Sequence, residues 1–445
     1  MSDEPASPVL PPSLARALRE AIRLAAQTET DARTRREVLA HCEAVLLRLE
    51  LGAGSAAEIE PEAASVRERL GSLRELAPPE RTALWSELTV YAQREAARRE
   101  RTEAQVAAAL AAPAPRPAAG PTREAVQEYL QRRFADAPPR VTACTEVPGG
   151  RSKLTVMLSL AHTGSLPREV VLRCDRPGSA QSTSVRDEFP VLQAMFRAGA
   201  FAPEPLWLEA DPAPLGVCFL AMRRMPGSAR GDYWSAGESR PVHARALARA
   251  LARIHAAEPR QAWPDAPAMA QESTAALIAT YETRWRAACA PTSVMLELGY
   301  TWLKDRLQCL MGASVAVHGD CHFANVLYED AHISCLTDWE FAHAGHPAED
   351  LAFCRSYVEA VMPWGEFLAE YCAGGGREIS QAELVFFRVW TYLRNATLGA
   401  VALRGVLEGR TSDIRTVAIA VHARARLEAA LARTLAVELV RASPR

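Results

Sequence analysis

The sequence contains very little lysine. Only Lys153 and Lys304 occur among its 445 residues, and 51 lysine and arginine residues against 53 acidic ones leave a formal net charge of −2. Binding to nucleic acid or to an anionic membrane depends on a surplus of positive charge, which this chain lacks. We therefore expect neither nucleic acid nor a membrane as its main partner.

Three other features are absent from the sequence. The ten cysteines include no Cys-x-x-Cys pair, and no run of about 18 apolar residues occurs that could cross a bilayer. The first ten residues, MSDEPASPVL, are acidic and contain proline, unlike a signal peptide. Scattered cysteines without a pairing pattern are typical of free thiols in a reducing compartment. We therefore expect a cytoplasmic protein.

One stretch, Ser314 to Phe353, carries a pattern that fits phosphoryl transfer. It contains His318-Gly319-Asp320, then Asn325, and then Asp338 at the end of a short apolar run. Transfer of a γ-phosphoryl group depends on placing a hydroxyl in line and on neutralising charge with Mg²⁺. We predict that Asp320 is the catalytic residue, which accepts the proton of the substrate hydroxyl. Asn325 and Asp338 are the predicted metal ligands.

The chain between these two predicted ligands has the pattern of a β-hairpin. Apolar Val326–Tyr328 is followed by polar Glu329–His332 and then by mainly apolar Ile333–Leu336. A hairpin would bring Asn325 and Asp338 back together across about 13 residues, near enough to share a cation that prefers oxygen ligands. The spacing therefore predicts one shared magnesium site.

The whole stretch resembles the catalytic region of the aminoglycoside phosphotransferase and choline kinase-like family. The resemblance rests on His318-Gly319-Asp320 followed by Asn325, and on Asp338-Trp339-Glu340 at a strand end. It implies an α+β, bilobal, protein-kinase-like fold with a small antiparallel-sheet N-lobe and a mainly helical C-lobe. It also implies ATP as co-substrate and Mg²⁺ as cofactor. Gly149-Gly150-x-Ser152, Val171-Leu172-Arg173 and arginine-bearing helical patterns near the C-terminus carry a narrower resemblance. By these features the chain, from about Val141 to Arg433, looks most similar to phosphotransferase domains associated with acyl-CoA dehydrogenases.

Within this resemblance, a glycine pair marks the expected nucleotide loop. Gly149 and Gly150 lie between two strand-like runs. A loop without side chains lets backbone N–H groups approach the phosphates of a nucleotide. Ser152 would add a hydroxyl donor. The next residue, Lys153, departs from the asparagine that similar proteins often carry there.

The resemblance also assigns a phosphate contact to Arg173, which lies near the end of a strand. Its fixed charge and planar guanidinium suit phosphate oxygens, and Glu188 on the next helix is its expected ion-pair partner. Lys153 is the rival phosphate ligand. By the same resemblance the apolar run Leu215–Met225 joins the two lobes as a hinge.

At this hinge the adenine ring is expected to bind. The backbone of Arg223 and Met225 would contact the adenine edge, and Met222 would line its pocket. Four residues of the catalytic stretch receive supporting roles: His318, His322, Glu340 and Asp350. Asp350 would brace the catalytic loop through hydrogen bonds, and Glu340 would support or reach the metal.

The whole chain is expected to divide into four segments. They are a helical accessory domain (1–112), a proline- and alanine-rich linker (113–121), the kinase N-lobe (122–225) and the kinase C-lobe with a helical acceptor-binding subdomain (226–445). Helical periodicity without a catalytic pattern in the first segment suggests a role in docking or in forming a homo-oligomer. A lid or regulatory element over the kinase stays open as the alternative.

Three hypotheses for function stay open at this point. The first is a Mg·ATP-dependent kinase of a small anionic alcohol such as a hydroxyacyl-CoA, because arginines outnumber acidic residues after Leu351. The second is an aminoglycoside or macrolide antibiotic phosphotransferase, which uses the same chemistry. The third is a nucleotide-binding regulatory pseudokinase that engages a protein partner.

Overall fold

A computed structural model describes residues 121–147, 153–176, 183–231, 235–288, 293–408, 420 and 424–442. The predicted accessory domain, nearly all of the linker and the predicted loop residues Gly149, Gly150 and Ser152 lie outside the described residues. The chain divides into two compact units. One consists of Ala118–Leu277 and Leu307–Arg388, and the other includes Ile278–Arg306 and Val389–Arg445. The predicted domain boundaries stay predictions.

The described helices and strands follow one another in this order along the chain: α1 (Arg123–Arg133), β1 (Arg140–Val147), β2 (Lys153–Ala161), β3 (Glu169–Asp175), α2 (Val185–Arg197), β4 (Pro205–Glu209), β5 (Phe219–Arg223), β6 (Ser228–Ala229), α3 (Pro241–His255), α4 (Ala270–Ala288), α5 (Val294–Arg306), β7 (Val315–Val317), β8 (Val326–Glu329), β9 (His332–Leu336), β10 (His343–Gly345), α6 (Ala348–Glu359), α7 (Trp364–Ala373), α8 (Gln381–Leu407) and α9 (Arg424–Ala442). A small antiparallel sheet therefore precedes a mainly helical part.

The sheet has the strand order β1-β2-β3-β5-β4, and neighbouring strands are antiparallel. Successive side chains of a strand point to opposite faces. The even-numbered apolar residues of β2 and β3 form a buried cluster with α1: Leu154, Val156, Leu158, Leu160, Val170, Leu172 and Cys174, against Val126, Tyr129 and Leu130. Arg173 therefore points to the opposite face, where α2 packs against β3, β4 and β5.

The helical part of the same unit supports two small sheets. Strands β6, β8 and β9 form one, and β7 pairs with β10 in the other. Helix α3 packs against α7, and its buried stripe repeats at helical spacing through Leu247, Leu251 and Ile254. Helix α3 also packs against β7 and β9, and the loop that carries Asp320 runs from β7 to the hairpin β8–β9.

The other unit is helical in its described residues. Trp285 of α4 stacks on Tyr300 of α5 with ring centroids 5.3 Å apart, and the hydroxyl of Tyr300 lies 2.8 Å from Oγ1 of Thr397 on α8. Leu431 of α9 is fully buried, and α9 packs against α5. Among the described helices, none combines the length and the apolar character that crossing a membrane requires.

Candidate active site

The predicted catalytic loop follows β7 and is held by the buried carboxylate of Asp350. Asp350 accepts hydrogen bonds from the backbone N–H groups of His318 (2.9 Å) and Gly319 (2.8 Å). Nε2–H of His255 donates to it at 3.1 Å, and Nδ1 of His255 lies 2.9 Å from the hydroxyl of Tyr371. Burial alone would raise the pKa of Asp350, but hydrogen bonds and charge from His255 and His318 lower it below its ordinary value.

Gly319 has a conformation that other residues rarely adopt, with φ at +79°. An added Cβ would lie 2.6 Å from the carbonyl oxygen of Phe341. We expect Gly319→Ala to lower the free energy of unfolding by about 1–3 kcal/mol, measured by urea denaturation. Gly365→Ala is the control, since its added Cβ meets no atom within 4 Å. Equal effects of the two substitutions would contradict the argument.

A short 3-10 turn, Phe323–Asn325, brings Asn325 back to Asp320. Nδ2 of Asn325 donates to the backbone carbonyl of Asp320 at 2.9 Å and to its Oδ2 at 3.0 Å. His322 begins the turn, and its Nδ1 accepts a hydrogen bond from the N–H of Ala324 at 3.2 Å. Because Nδ2 contacts Asp320, the amide oxygen of Asn325 is the atom left for another ligand.

The predicted hairpin is present and brings the two predicted metal ligands together. Strands β8 and β9 are antiparallel neighbours, with Val326 opposite Leu336. The N–H of Thr337 donates to the carbonyl oxygen of Asn325 at 2.8 Å. Asn325 therefore lies beside the residue that precedes Asp338.

Asp338 ends this hairpin in a left-handed conformation, with φ at +69° and ψ at +58°. Aspartate tolerates this region better than most residues. Oδ1 of Asp338 accepts a hydrogen bond from Nη2 of Arg173, whose Nε donates to Glu188 at 2.8 Å. Burial alone would lower the pKa of Arg173, but the carboxylates of Asp338, Glu188 and Glu340 raise it, so the guanidinium stays charged.

Lys153 and Glu340 belong to the same cluster of charged side chains as Arg173. Nζ of Lys153 is 3.1 Å from Oδ1 of Asp175 and 3.7 Å from Oε2 of Glu340. Nη2 of Arg173 is 3.9 Å from the same Oε2. Two cations, Lys153 and Arg173, therefore lie among four carboxylates: Asp175, Glu188, Asp338 and Glu340. If all are ionised, the cluster carries a surplus of two negative charges.

The available donors suit Mg²⁺. The amide oxygen of Asn325 and the carboxylate of Asp338 are hard oxygen ligands, and the side chain of Asp338 is 29% exposed. Magnesium commonly binds through one or two protein oxygens together with substrate phosphates. Among the described residues, no group of three or more His, Cys, Asp or Glu could hold a metal. One amide oxygen and one carboxylate are a donor set that fits an ion shared with a nucleotide.

Two histidines contact the loop around Asp320. Nε2 of His318 lies 3.0 Å from the carbonyl oxygen of Thr337, and its Nδ1 accepts a hydrogen bond from the N–H of Asp320 at 3.3 Å. The ring of His322 stacks on Tyr357 with centroids 5.1 Å apart, and its Nε2 lies 4.0 Å from Oδ2 of Asp320. Tyr357 was not among the predicted site residues, because the sequence gives no signal for a contact between α6 and this loop.

The expected hinge strand is shorter than its apolar run. The chain still turns at Gly216, where φ is +77°, so that β5 begins three residues later. The backbone N–H of Arg223 donates to the carbonyl oxygen of Glu204 at 2.9 Å, and its guanidinium also binds the Glu204 carboxylate. The Arg223 N–H is therefore already occupied within the sheet. Met222 and Met225 are partly buried, and their adenine contacts stay predictions.

One unit contains the predicted site residues that the structure describes, and most of them fall into two contact groups. The first is the loop group: His318, Asp320, His322, Asn325 and Asp350. The second is the ion-pair group of Arg173, Glu188, Asp338 and Glu340, and Thr337, the residue before Asp338, joins the two groups. Sequence reasoning missed Asp175 and Thr183. Asp175 ends β3 and contacts Ser184, the N-cap of α2. Ser184 stands before a helix whose first turn is acidic, which is a typical helix-start pattern and could have indicated that the end of β3 meets the start of α2 here.

The sequence comparisons point to one group of proteins. Residues 143–385 match the model of a family described as "Phosphotransferase enzyme family". Acyl-CoA dehydrogenase family member 11 of Mus musculus is 25% identical over 316 residues, 65% of this chain and 40% of that protein. The Gallus gallus protein of the same name is 28% identical over 246 residues, 52% of this chain and 30% of that protein. The matched part is less than half of these relatives' length.

The fold also matches a solved structure. A proposed aminoglycoside phosphotransferase from Ralstonia eutropha superposes with a TM-score of 0.52, over 71% of this chain and 98% of that chain, at 16% identity. A likeness at this identity shows the fold alone. It confirms the predicted protein-kinase-like α+β fold for the described residues. The predicted N-terminal helical domain lies outside them.

Proposed function

Because the chain belongs to the phosphotransferase enzyme family, we propose that it transfers the γ-phosphoryl group of ATP to a hydroxyl group of a small molecule. One observation carries this proposal. Asn325 holds the carboxylate of Asp320 through a 3.0 Å hydrogen bond, and its backbone carbonyl binds the N–H of Thr337, the residue before Asp338, which is paired with Arg173. Phosphoryl transfer requires a proton acceptor, metal ligands and a cation in such proximity.

Asp320 accepts the proton of the acceptor hydroxyl. Asn325 donates to Oδ2 of Asp320, which leaves Oδ1 to receive the hydroxyl. The side chain of Asp320 is 15% exposed, so a substrate can reach it while most water is kept away. A positioned carboxylate of this kind acts as a general base.

Asn325 and Asp338 would hold Mg²⁺, which when bound neutralises negative charge on the phosphoryl oxygens. Arg173 contacts a phosphate oxygen. A guanidinium has five N–H donors. Nε and Nη2 of Arg173 bind carboxylates, and the described residues offer no partner to Nη1. The glycine loop with Gly149, Gly150 and Ser152 contributes further donors to the phosphates. Met222, Arg223 and Met225 form the adenine site.

We assign the acceptor to anionic alcohols, such as a hydroxyacyl-CoA. The relatives named acyl-CoA dehydrogenase family member 11 support this class. The acidic side chains of α6, α7 and the first turns of α8 also disfavour a polycationic antibiotic. Each is paired with a histidine or arginine: Glu349–His343, Asp350–His255, Glu359–Arg355, Glu366–Arg245, Glu370–Arg249 and Glu383–Arg377. Ammonium groups of an aminoglycoside would have to displace these partners.

We also propose a cytoplasmic location for the enzyme. The cysteines that the structure describes carry free thiols, including buried Cys321 and Cys354 beside the catalytic loop. Thiols in this state persist in a reducing compartment. A homo-oligomer formed through residues 1–112 also stays a proposal, tested by light scattering with and without that segment.

Transfer of labelled γ-phosphate tests the proposed reaction. The full chain is incubated with labelled ATP and Mg²⁺ in a metabolite extract, and separately with hydroxyacyl-CoAs, aminoglycosides and macrolides. We expect label in the phosphate ester of an anionic alcohol, with ADP as the other product. Labelled aminoglycoside or macrolide alone would overturn the acceptor class and leave the reaction in place. Binding of Mg·ATP without any labelled product would instead favour a regulatory pseudokinase.

A further inference from the structure

The ammonium group of Lys153 is buried and surrounded by protein oxygens. Lys153 is 2% exposed. Its Nζ donates to the carbonyl oxygen of Thr183 and to its Oγ1 at 3.2 Å, and lies 3.1 Å from Oδ1 of Asp175. An ammonium has three N–H donors. Each of them therefore has an acceptor within the protein, and none is left for a phosphate.

These contacts join three segments that are distant in sequence. Lys153 is the first residue of β2, Asp175 is the last of β3, and Thr183 lies just before α2. Oγ1 of Thr183 donates to Oε2 of Glu340 at 2.9 Å. Glu340 lies in the 3-10 turn that follows Asp338. Lys153 thus reaches the segment of Asp338 and Glu340 through the hydroxyl of Thr183 and through its own 3.7 Å ion pair with Glu340.

The start of α2 is fixed by the same cluster. Asp175 accepts hydrogen bonds from Oγ of Ser184 at 2.8 Å and from the N–H of Val185 at 3.0 Å. Helix α2 carries Glu188, which binds Nε of Arg173. A displacement of the helix start would therefore move Glu188 and, through it, Arg173.

We propose that Lys153 is a positioning residue, which holds the start of α2 against Glu340 so that Arg173 stays aligned with Asp338 and the nucleotide phosphates. The proposal rests on the proposed phosphotransfer function. It separates the roles of the two buried cations. Arg173 binds phosphate, and Lys153 acts through Thr183 and Glu340 without touching the nucleotide.

The hydroxyl of Thr183 offers a test with matched substitutions. Thr183→Val removes the hydroxyl at nearly constant shape, whereas Thr183→Ser keeps it. With Mg·ATP as substrate and water as acceptor, we expect Thr183→Val and Lys153→Met to lower kcat about tenfold or more. Their Kd for Mg·ATP, measured by calorimetry, should stay within about threefold of wild type. Thr183→Ser should restore kcat.

Arg173→Met is the comparison for a phosphate ligand. It should raise the Kd for Mg·ATP by about 10- to 100-fold, as expected for a lost hydrogen bond to a charged group. If Lys153→Met raises that Kd equally, Lys153 binds phosphate and the proposal fails. Equal kcat values for Thr183→Val and Thr183→Ser would also overturn it, because the hydroxyl would then have no role.

A second measurement does not depend on ATP. Urea unfolding midpoints are compared for Lys153→Met, Glu340→Gln and the double variant. The proposed link predicts that the two effects are not additive. Additive shifts would overturn the positioning role even in a folded, active protein. If wild type fails to bind Mg·ATP, the proposed function is overturned. The unfolding measurements would then still show, without ATP, whether Lys153 and Glu340 are coupled.

Discussion

An Asp320→Asn variant is expected to transfer phosphate about 10²- to 10⁴-fold more slowly than wild type while still binding Mg·ATP. An amide oxygen can still accept the hydrogen bond from Asn325, so the loop keeps its conformation. The amide cannot take the proton of the acceptor hydroxyl. Single-turnover transfer of labelled phosphate measures the rate, and calorimetry measures the affinity for Mg·ATP.

Asp330→Asn is the matched control for this substitution. Asp330 is exposed in the turn of the β8–β9 hairpin, at φ +53°, which asparagine tolerates well. We expect its transfer rate to equal that of wild type. A loss of less than about tenfold in Asp320→Asn would show that another group accepts the proton. Loss of Mg·ATP binding in Asp320→Asn would assign Asp320 to the metal instead.

The local geometry of the catalytic stretch could be predicted because short chain segments determine it. The polar turn between two apolar runs specified the hairpin, and the hairpin brings Asn325 next to the segment of Asp338. The spacing from Asp320 to Asn325 allows one 3-10 turn, which the structure contains. The chemical role of each residue stays a prediction, because the contacts define positions and not a reaction.

Contacts between distant segments could not be predicted from the sequence. Arg173 binds Asp338, which lies 165 residues further along the chain. Its pairing with Glu188 was expected from the resemblance to kinase-like phosphotransferases, but the contact with Asp338 depends on how the sheet lies against the hairpin. The same limit applies to Lys153. The sequence shows a lysine where relatives often carry asparagine, but not that its ammonium is enclosed by Thr183 and Asp175.

Charge counts along the helices were a weak guide to the acceptor. Arginines outnumber acidic residues after Leu351, which suggested cations free to bind an anion. In the structure Arg355 is bound to Glu359, 2.8 Å away, and lies over the ring of Trp364. What the structure adds is the pairing of the carboxylates on α6 and α7. The argument against a polycationic acceptor therefore rests on occupied carboxylates rather than on an excess of arginine.

Asp350→Asn is expected to lower the free energy of unfolding by about 2–5 kcal/mol. The substitution replaces one carboxylate oxygen by an NH₂ group. In one orientation this group faces the N–H of Gly319, and in the other it faces the N–H of His318 and the ring of His255. In either orientation at least one buried donor loses its acceptor. Transfer activity should fall with stability, because the same two backbone groups set the start of the Asp320 loop. Urea denaturation at neutral pH measures the stability.

The pH dependence of this stability loss shows whether the missing carboxylate of Asp350 causes it. The pKa of Asp350 is lower in the folded than in the unfolded chain, so its stabilisation is present above the unfolded value of about 4 and is lost as the pH falls further. The difference between wild type and Asp350→Asn should therefore shrink in acid, where Asp350 itself becomes protonated. Glu359→Gln, on the exposed end of α6, should change stability by less than about 0.5 kcal/mol. A pH-independent difference for Asp350→Asn would show that lost packing, not lost hydrogen bonding to a carboxylate, causes the effect.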